Sequence, residues 1–188
     1  MIGENTAMSH KETKEEKERW QNWLALSTAI MAVLAALTTL YMGKFSSRAI
    51  MSQGLESDQW AHYQAKSIKG HTFEISRQAL ELQYHSQKGL TPAVAADYQK
   101  VLQRYADETK RYEQEKKEIK AKAEAIAKTK LKAQDMGGNF GYALIFLQIA
   151  IMLSSLASLT KKKYLWYIAL LANLGWIFFF LDGWLLFY

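Results

Sequence analysis

The sequence predicts an all-α membrane protein with three transmembrane helices and a long antiparallel coiled-coil helical hairpin inserted between the first and the second. Three observations lead to this fold class. Charged residues are segregated from three long apolar runs, as a bilayer requires. Two stretches of the charged region repeat apolar residues at heptad spacing. The single proline, Pro92, lies between these two stretches.

The average composition of the 188 residues hides this segregation. A mean hydropathy of −0.19 with 22% charged residues is ordinary for a soluble protein. The charges nevertheless lie only in residues 1–19, 44–135 and 161–163, apart from Asp182. The chain has no cysteine, which excludes disulfides, thiolate metal sites and cysteine nucleophiles.

Each apolar run is long enough to cross a hydrocarbon core of about 30 Å as a helix. We assign residues 24–43 to the first transmembrane helix, residues 140–160 to the second and residues 164–187 to the third. A charged N-terminal tail, residues 1–23, precedes the first span. No convincing cleavage site follows the first run, so we expect an uncleaved anchor.

Basic residues in the short loops predict the orientation. The tail and the turn at Lys161–Lys163 lie on one side of a three-span protein, and both should be cytoplasmic. Residues 44–139 would then be periplasmic, in a multi-pass protein of the bacterial inner membrane. Three basic residues beside the second span oppose this assignment, namely Lys128, Lys130 and Lys132.

The outgoing arm of the predicted hairpin, residues 44–88, repeats small or apolar residues at alternating intervals of four and three. These residues are Ala61, Ala65, Ile68, Thr72, Ile75, Ala79 and Leu82. Such a heptad stripe predicts a helix that packs against another helix. Gly89 is expected to end the arm in a left-handed conformation, with Thr91 as the N-cap and Pro92 as the first residue of the return helix.

The return arm, residues 92–134, has its own heptad position, which is occupied by Tyr98, Tyr105, Tyr112, Ile119, Ile126 and Ala133. Arms of nearly equal length, each about 67 Å as a helix, bring the chain back to the membrane. We expect residues 135–139 to break the helix before the second span. Pairing of the two arms is sufficient for most such hairpins. An isolated pair buries little surface, so we favour association of several copies.

Small and polar residues in the spans suggest contacts within the membrane. A strip of small residues follows one face of the first span and includes Ala25, Ala29, Ala32 and Ala36. This strip would line either an oligomer or channel interface or a contact with another span of the same chain. Gln148 and Asn173 lie at similar depths, and we favour a hydrogen bond between them over the alternative that they line a conduction path. Asp182 lies near the end of its span and is expected to reach interfacial water rather than to carry protons or ions.

Candidate chemistry in the sequence is sparse. Three acid–histidine pairs share helix faces without converging: Asp58 with His62, His71 with Glu74, and Glu81 with His85. We therefore expect no metal site, no cofactor, no catalytic residue and no enzymatic activity. The lysine-rich stretch 116–132 is interleaved with glutamate, which favours a solvated helix face. Attraction to lipid headgroups is the functional alternative, and nucleic acid is not an expected partner.

Residues 58–69 read DQWAHYQAKSIK and form the least generic stretch of the chain. They resemble the signature of a bacterial membrane-protein family known as domain of unknown function 4337. The resemblance implies an alanine-rich first span, a helical insert and two closing spans, and it implies no activity. Many members have a second tyrosine where this chain has His62. The polar and aromatic residues of this interaction motif are Asp58, Trp60, His62, Tyr63, Gln64, Lys66 and Lys69.

A helix that only faces water needs neither Trp60 nor Tyr63. We therefore expect the motif to contact a neighbouring subunit or another protein, with packing on the return arm near residues 119–126 as the alternative. The preferred interpretation is a non-enzymatic, homo-oligomeric scaffold or interaction platform whose partners are the lipid bilayer, further copies of the chain and a protein that docks on the hairpin. A channel or transporter subunit built around the small strip of the first span is the second hypothesis.

Overall fold

The chain is all-helical in the computed structural model, as the sequence predicts. Three helices follow one another, with no strand among residues 2–186: α1 spans Ile2–Ser86, α2 spans Pro92–Thr160 and α3 spans Lys163–Leu185. Each helix contains a stretch that is long and apolar enough to cross a membrane. Length and composition therefore agree with the three predicted spans.

The structure describes the backbone of residues 2–186 and the side chains of residues 19–186. The basic side chains of the predicted tail that precede Arg19 lie outside the described residues. Residue 187, at the predicted end of the third span, lies outside them as well.

The connection between α1 and α2 depends on two local features. Gly89 adopts a left-handed conformation with a φ of 82°, which costs glycine nothing because it has no Cβ. The carbonyl oxygen of Thr91 accepts a hydrogen bond of 3.0 Å from Ala95 N, and the Thr91 hydroxyl lies 3.5 Å from Val94 N. Thr91 thus satisfies backbone donors of the first turn, and Pro92 begins α2 because it has no N–H to leave unpaired.

The helix break predicted at residues 135–139 is wrong, because α2 runs through this stretch without interruption. A Cβ on Gly137 would lie 3.4 Å from Ser46 Oγ and 3.7 Å from Phe45 Cβ. α1 therefore passes close to α2 at this glycine. Small residues permit such close approach between membrane helices, and the contacts offset the low helix propensity of glycine.

The helices divide into two compact units. The apolar unit comprises Met1–Arg48 and Lys132–Tyr188, and the charged unit comprises Ala49–Leu131. Each unit therefore contains a segment of α1 and a segment of α2, and α3 belongs to the apolar unit alone. Each unit has its own packing.

The core of the apolar unit joins all three of its helices. One buried cluster consists of Met31 from α1, Leu147 and Ala150 from α2, and Ala169 from α3. A second buried cluster consists of Trp20, Leu24 and Ala157. Alanine occurs in both clusters, and this is expected because van der Waals contact between closely spaced backbones replaces the hydrophobic effect in lipid.

Tryptophan side chains of α3 donate hydrogen bonds to hydroxyl groups of α1. Trp166 Nε1 lies 3.1 Å from Ser27 Oγ, and Trp176 Nε1 lies 3.1 Å from Thr38 Oγ1. Both hydroxyls also donate to carbonyl oxygens within α1. These bonds pair polar groups that lipid cannot solvate, and each contributes about 1 kcal/mol to the contact between α1 and α3.

A separate aromatic cluster of the apolar unit is centred on Phe140, whose side chain is fully buried. Its ring stacks on those of Tyr41 and Phe45, with centroids 5.6 Å away in each case. Phe180 and Trp184 of α3 meet the same ring edge-on at 5.3 and 6.1 Å. Stacked and edge-to-face geometries are the favoured arrangements of aromatic pairs. Phe140 therefore connects all three helices.

Candidate interaction surface

The aromatic residues of the DQWAHYQAKSIK motif lie against α2 in the charged unit. Trp60 and Tyr63 are half-buried, and their rings contact each other with centroids 5.7 Å apart. The Nζ atom of Lys116 lies 5.8 Å from the centre of the Tyr63 ring. Tyr63 thus contacts α2 at Lys116, three residues before the predicted region 119–126 of the return arm, and Trp60 packs on Tyr63. Both side chains also keep an exposed part.

Two ion pairs join the helices of the charged unit. Lys66 Nζ lies 2.6 Å from Glu115 Oε2, and Lys130 Nζ lies 2.7 Å from Glu56 Oε2. The hydrogen bond from Lys66 lowers the pKa of Glu115 below its ordinary value, and the hydrogen bond from Lys130 does the same to the pKa of Glu56. In α1 Glu56 precedes Lys66, whereas in α2 the partner of Glu56, Lys130, follows the partner of Lys66, Glu115, so the two helices run antiparallel in the charged unit.

The remaining polar residues of the motif face outward. Asp58, His62, Gln64 and Lys69 are all exposed. The motif therefore has two faces. The inner face consists of Trp60, Tyr63 and Lys66, of which Tyr63 and Lys66 contact α2. The outer face contains the exposed residues.

The predicted heptad stripe of α1 is not covered by the return arm. All seven of its residues are exposed, namely Ala61, Ala65, Ile68, Thr72, Ile75, Ala79 and Leu82. The large side chains are strongly so, with exposed fractions of 67% for Ile68, 65% for Ile75 and 74% for Leu82. The expectation that this stripe pairs with the return arm is therefore wrong. We refer to these seven residues as the outer stripe.

The interface between α1 and α2 uses a different row of α1 residues, which sequence reasoning missed. Gly70 is buried in this row, and a Cβ there would lie 3.3 Å from Tyr112 Cβ. Phe73 follows three residues later, with its ring centre 5.7 Å from that of Tyr105 and 5.8 Å from that of Tyr112. Aromatic rings bury more area than the alanines and threonine of the outer stripe, so this row forms the better contact.

The heptad position predicted for the return arm does face α1. Tyr112, Ile119 and Ala133 are buried, which confirms the prediction for these residues. Tyr98, Tyr105 and Ile126 are half-buried. One of the two helices thus buries its predicted stripe, and the other exposes it.

The small strip of the first span is also uncovered. Ala25, Ala29, Ala32 and Ala36 are exposed, so another span of the same chain does not bury them. Three of them, Ala25, Ala29 and Ala32, form one wall of an open groove. The opposite wall is provided by α2 through Ser154, Ser155 and Ser158.

The polar residues predicted in the second and third spans are placed differently from expectation. Gln148 is exposed, and Asn173 Nδ2 donates to Ala169 O at 3.1 Å and lies 3.5 Å from Met31 Sδ. The predicted bond between Gln148 and Asn173 is therefore absent. Asp182 is 1% exposed rather than in contact with interfacial water, and its Oδ2 accepts a 2.7 Å hydrogen bond from Asn139 Nδ2.

The acid–histidine pairs of the sequence do not gather further ligands. The side chains described, residues 19–186, contain no group of three or more histidine, aspartate or glutamate residues placed to hold a metal ion. His62, His71 and His85 are exposed along the charged unit. These three histidines lie beside the outer stripe.

Comparison with known proteins gives one match. A family model described as a domain of unknown function, DUF4337, matches residues 20–186 and so covers nearly the whole chain. No curated protein and no solved structure matches. The match includes both the motif and the outer stripe.

Proposed function

The chain belongs to the DUF4337 family, and we propose that it is a non-enzymatic membrane protein that associates with copies of itself and serves as a scaffold or interaction platform. The charged unit is a coiled-coil hairpin outside the membrane, and the N-terminus lies in the cytoplasm, as the basic loops predict. The observation that carries the proposal is the exposed outer stripe. The occupant of this surface is the outer stripe of a second copy.

A heptad stripe on a helix is complementary to another stripe of the same period. In the charged unit, α2 exposes only Val94 and Leu131 among large hydrophobic residues, and these two are too far apart to form such a stripe. The outside of α2 therefore offers no matching surface. The same stripe on another copy has the required period, length and side chains.

The residues beside the outer stripe are compatible with self-association. They occupy the e and g positions of the heptads and are His62, Gln64, Lys69, His71, Ser76, Gln78, Gln83 and His85. None of them is a carboxylate, and Lys69 is the one permanent charge. In a parallel pair Lys69 would face Gln64 of the other copy, so no like charges meet. A strongly acidic partner would find little charge to bind.

The outer stripe also overlaps the motif that carries the family resemblance. Ala61, Ala65 and Ile68 belong to both, and they alternate with the inner residues Trp60, Tyr63 and Lys66. The inner residues hold α1 on α2, which orders the helix before any second copy arrives. A preformed helix loses less conformational entropy on association than a flexible segment does.

Replacing Ile68 and Ile75 together with lysine is expected to dissociate the assembly. Each lysine would place a charge in the centre of the apolar contact, where desolvation is unfavourable. Both side chains are exposed in the single chain, so its own fold should persist. Native mass spectrometry of the full chain in detergent should give a multiple of 21.6 kDa for the unchanged protein and 21.6 kDa for the variant.

The matched control is Leu131→Lys, which makes the same chemical change at an exposed position of α2. This variant should keep the mass of the unchanged assembly, and circular dichroism should show equal helicity for all three proteins. A monomeric unchanged protein would contradict the proposal. An unchanged mass for the double variant, or dissociation of the control, would contradict it as well.

A pore-forming subunit is the second candidate, and the uncovered small strip of the first span favours it. Residues such as Ala32 and Ala36 would let first spans of neighbouring copies approach closely around an axis. Current through reconstituted bilayers that is abolished by Ala32→Leu and Ala36→Leu would assign a pore. An assembled protein that passes no current would remain a scaffold.

A further inference from the structure

We propose that a cleft between α1 and the beginning of α3 binds the phosphate group of an anionic phospholipid. The cleft is lined by Arg19, Trp20, Trp23, Lys163 and Trp166. All five residues belong to the apolar unit. The open cleft has a volume of about 290 Å³, which suits a headgroup phosphate and not a whole lipid.

The cleft combines two cations with a helix N-terminus. Arg19 comes from α1, and Lys163 is the first residue of α3. The residue before it, Lys162, makes no side-chain capping hydrogen bond. The first N–H groups of the 23-residue helix α3 therefore lack a capping side chain, and helix N-termini in this state attract anions. Guanidinium and ammonium groups are the usual phosphate ligands among side chains.

A buried donor without an acceptor gives independent support. Trp20 is 8% exposed, and its Nε1 atom has no hydrogen-bond partner. Leaving such a donor unpaired costs about 1–3 kcal/mol. The half-buried indoles Trp166 and Trp176 of the same unit both donate to hydroxyl groups. Trp20 lines the cleft, so a phosphate oxygen that enters the cleft can become the acceptor once a small rotation of the indole brings Nε1 to the cleft surface.

The surroundings favour a lipid over a free anion as the source of the phosphate. Trp23 is 61% exposed beside the cleft, and the spans of α1 and α3 continue from it. Tryptophan is enriched where a span meets the headgroup layer. An anionic lipid supplies the phosphate together with acyl chains that cover this apolar surface, whereas inorganic phosphate supplies the charge alone.

The test is lipid titration of the full chain in neutral detergent, with bound lipid counted by native mass spectrometry. Phosphatidylglycerol should bind at least tenfold more tightly than phosphatidylcholine. Lys163→Gln should weaken phosphatidylglycerol binding by about tenfold, the loss expected for one charge-assisted hydrogen bond. Trp20→Phe keeps most of the ring packing and removes the N–H group, and it should weaken binding severalfold.

The matched control is Lys162→Gln, which removes the same charge from the adjacent residue. Lys162 lies outside the lining, with its Nζ 5.9 Å from the centre of the Tyr164 ring. This control should bind phosphatidylglycerol like the unchanged chain. Equal weakening of phosphatidylglycerol binding by Lys162→Gln and Lys163→Gln would indicate a general attraction between basic residues and anionic lipid. That result would overturn the proposal of a defined site.

Three further outcomes are decisive. Equal binding of the two lipids would overturn the proposal, as would full binding by Trp20→Phe at an unchanged melting temperature. Inorganic phosphate could also bind saturably and compete with phosphatidylglycerol at equal affinity. That result would contradict the proposal that the phosphate belongs to a lipid and would show a site for free anions. The number of copies per particle should stay constant across these variants, which separates this test from the test of self-association.

Discussion

Replacing Phe140 with alanine is expected to destabilise the apolar unit by about 3 kcal/mol, near the lower end of the range for phenylalanine in protein cores. The ring is fully buried, and four aromatic side chains pack around it. Its removal leaves a cavity where all three helices meet. The lower end of the range applies because lipid and detergent solvate apolar groups, so that lost dispersion contacts dominate the cost.

The measurement is unfolding of the full chain by titration with a denaturing detergent, followed by circular dichroism. Phe178→Ala is the matched control, because Phe178 lies on α3 and is 56% exposed. The control should unfold within about 0.5 kcal/mol of the unchanged protein, as surface substitutions usually do. Equal effects of the two substitutions would show that Phe140 does not organise the contact between helices.

Removal of the amide of Asn139 is expected to have a comparable effect. Asn139 Nδ2 donates a 2.7 Å hydrogen bond to Asp182 Oδ2, and Asp182 is almost fully buried. Asn139→Leu would remove this donor from a carboxyl group that cannot turn to water. We expect a loss of about 3 kcal/mol in the free energy of unfolding, because partly satisfied buried polar groups retain their desolvation cost.

A double-mutant cycle tests the origin of this loss. If the pair is coupled, Asn139→Leu combined with Asp182→Leu should be more stable than the sum of the two single changes predicts, because both polar groups are then gone. Strict additivity in the same detergent titration would count against a direct interaction. Gln148→Leu serves as the control for replacing a span amide, since Gln148 is exposed.

The spacing of apolar residues predicts the presence of the helices better than it predicts which face of each helix is buried. In the charged part of α2 the position shared by Tyr112 and Ile119 has the longest repeat of large side chains, and both residues are buried as expected. In α1 the row through Ile68 and Ile75 competes with the row through Gly70 and Phe73, and both rows have heptad spacing. Periodicity alone cannot choose between them. The choice depends on Tyr112, which fits beside Gly70 on the other helix.

Contacts between distant residues were missed for a related reason. Asn139 and Asp182 lie on different helices, and nothing in their local sequence relates one to the other. The local sequence around Gly137 and Gly138 predicts a helix break, although α2 continues through both. Glycine marks either a turn or a close approach, and only the position of α1 beside Gly137 distinguishes them. The spans themselves follow from composition, which needs no knowledge of neighbours.

The hydroxyl partners of Trp166 and Trp176 give the protein a built-in optical reporter. Both indoles are half-buried and donate across the contact between α1 and α3. If α3 separated from α1, the indoles of Trp166 and Trp176 would lose Ser27 and Thr38 as hydrogen-bond partners and would contact detergent or lipid. Tryptophan emission therefore responds to separation of these two helices, whereas circular dichroism responds to loss of helix. A state in which the helices remain intact but α3 has separated from α1 would shift the wavelength of tryptophan emission without changing the ellipticity.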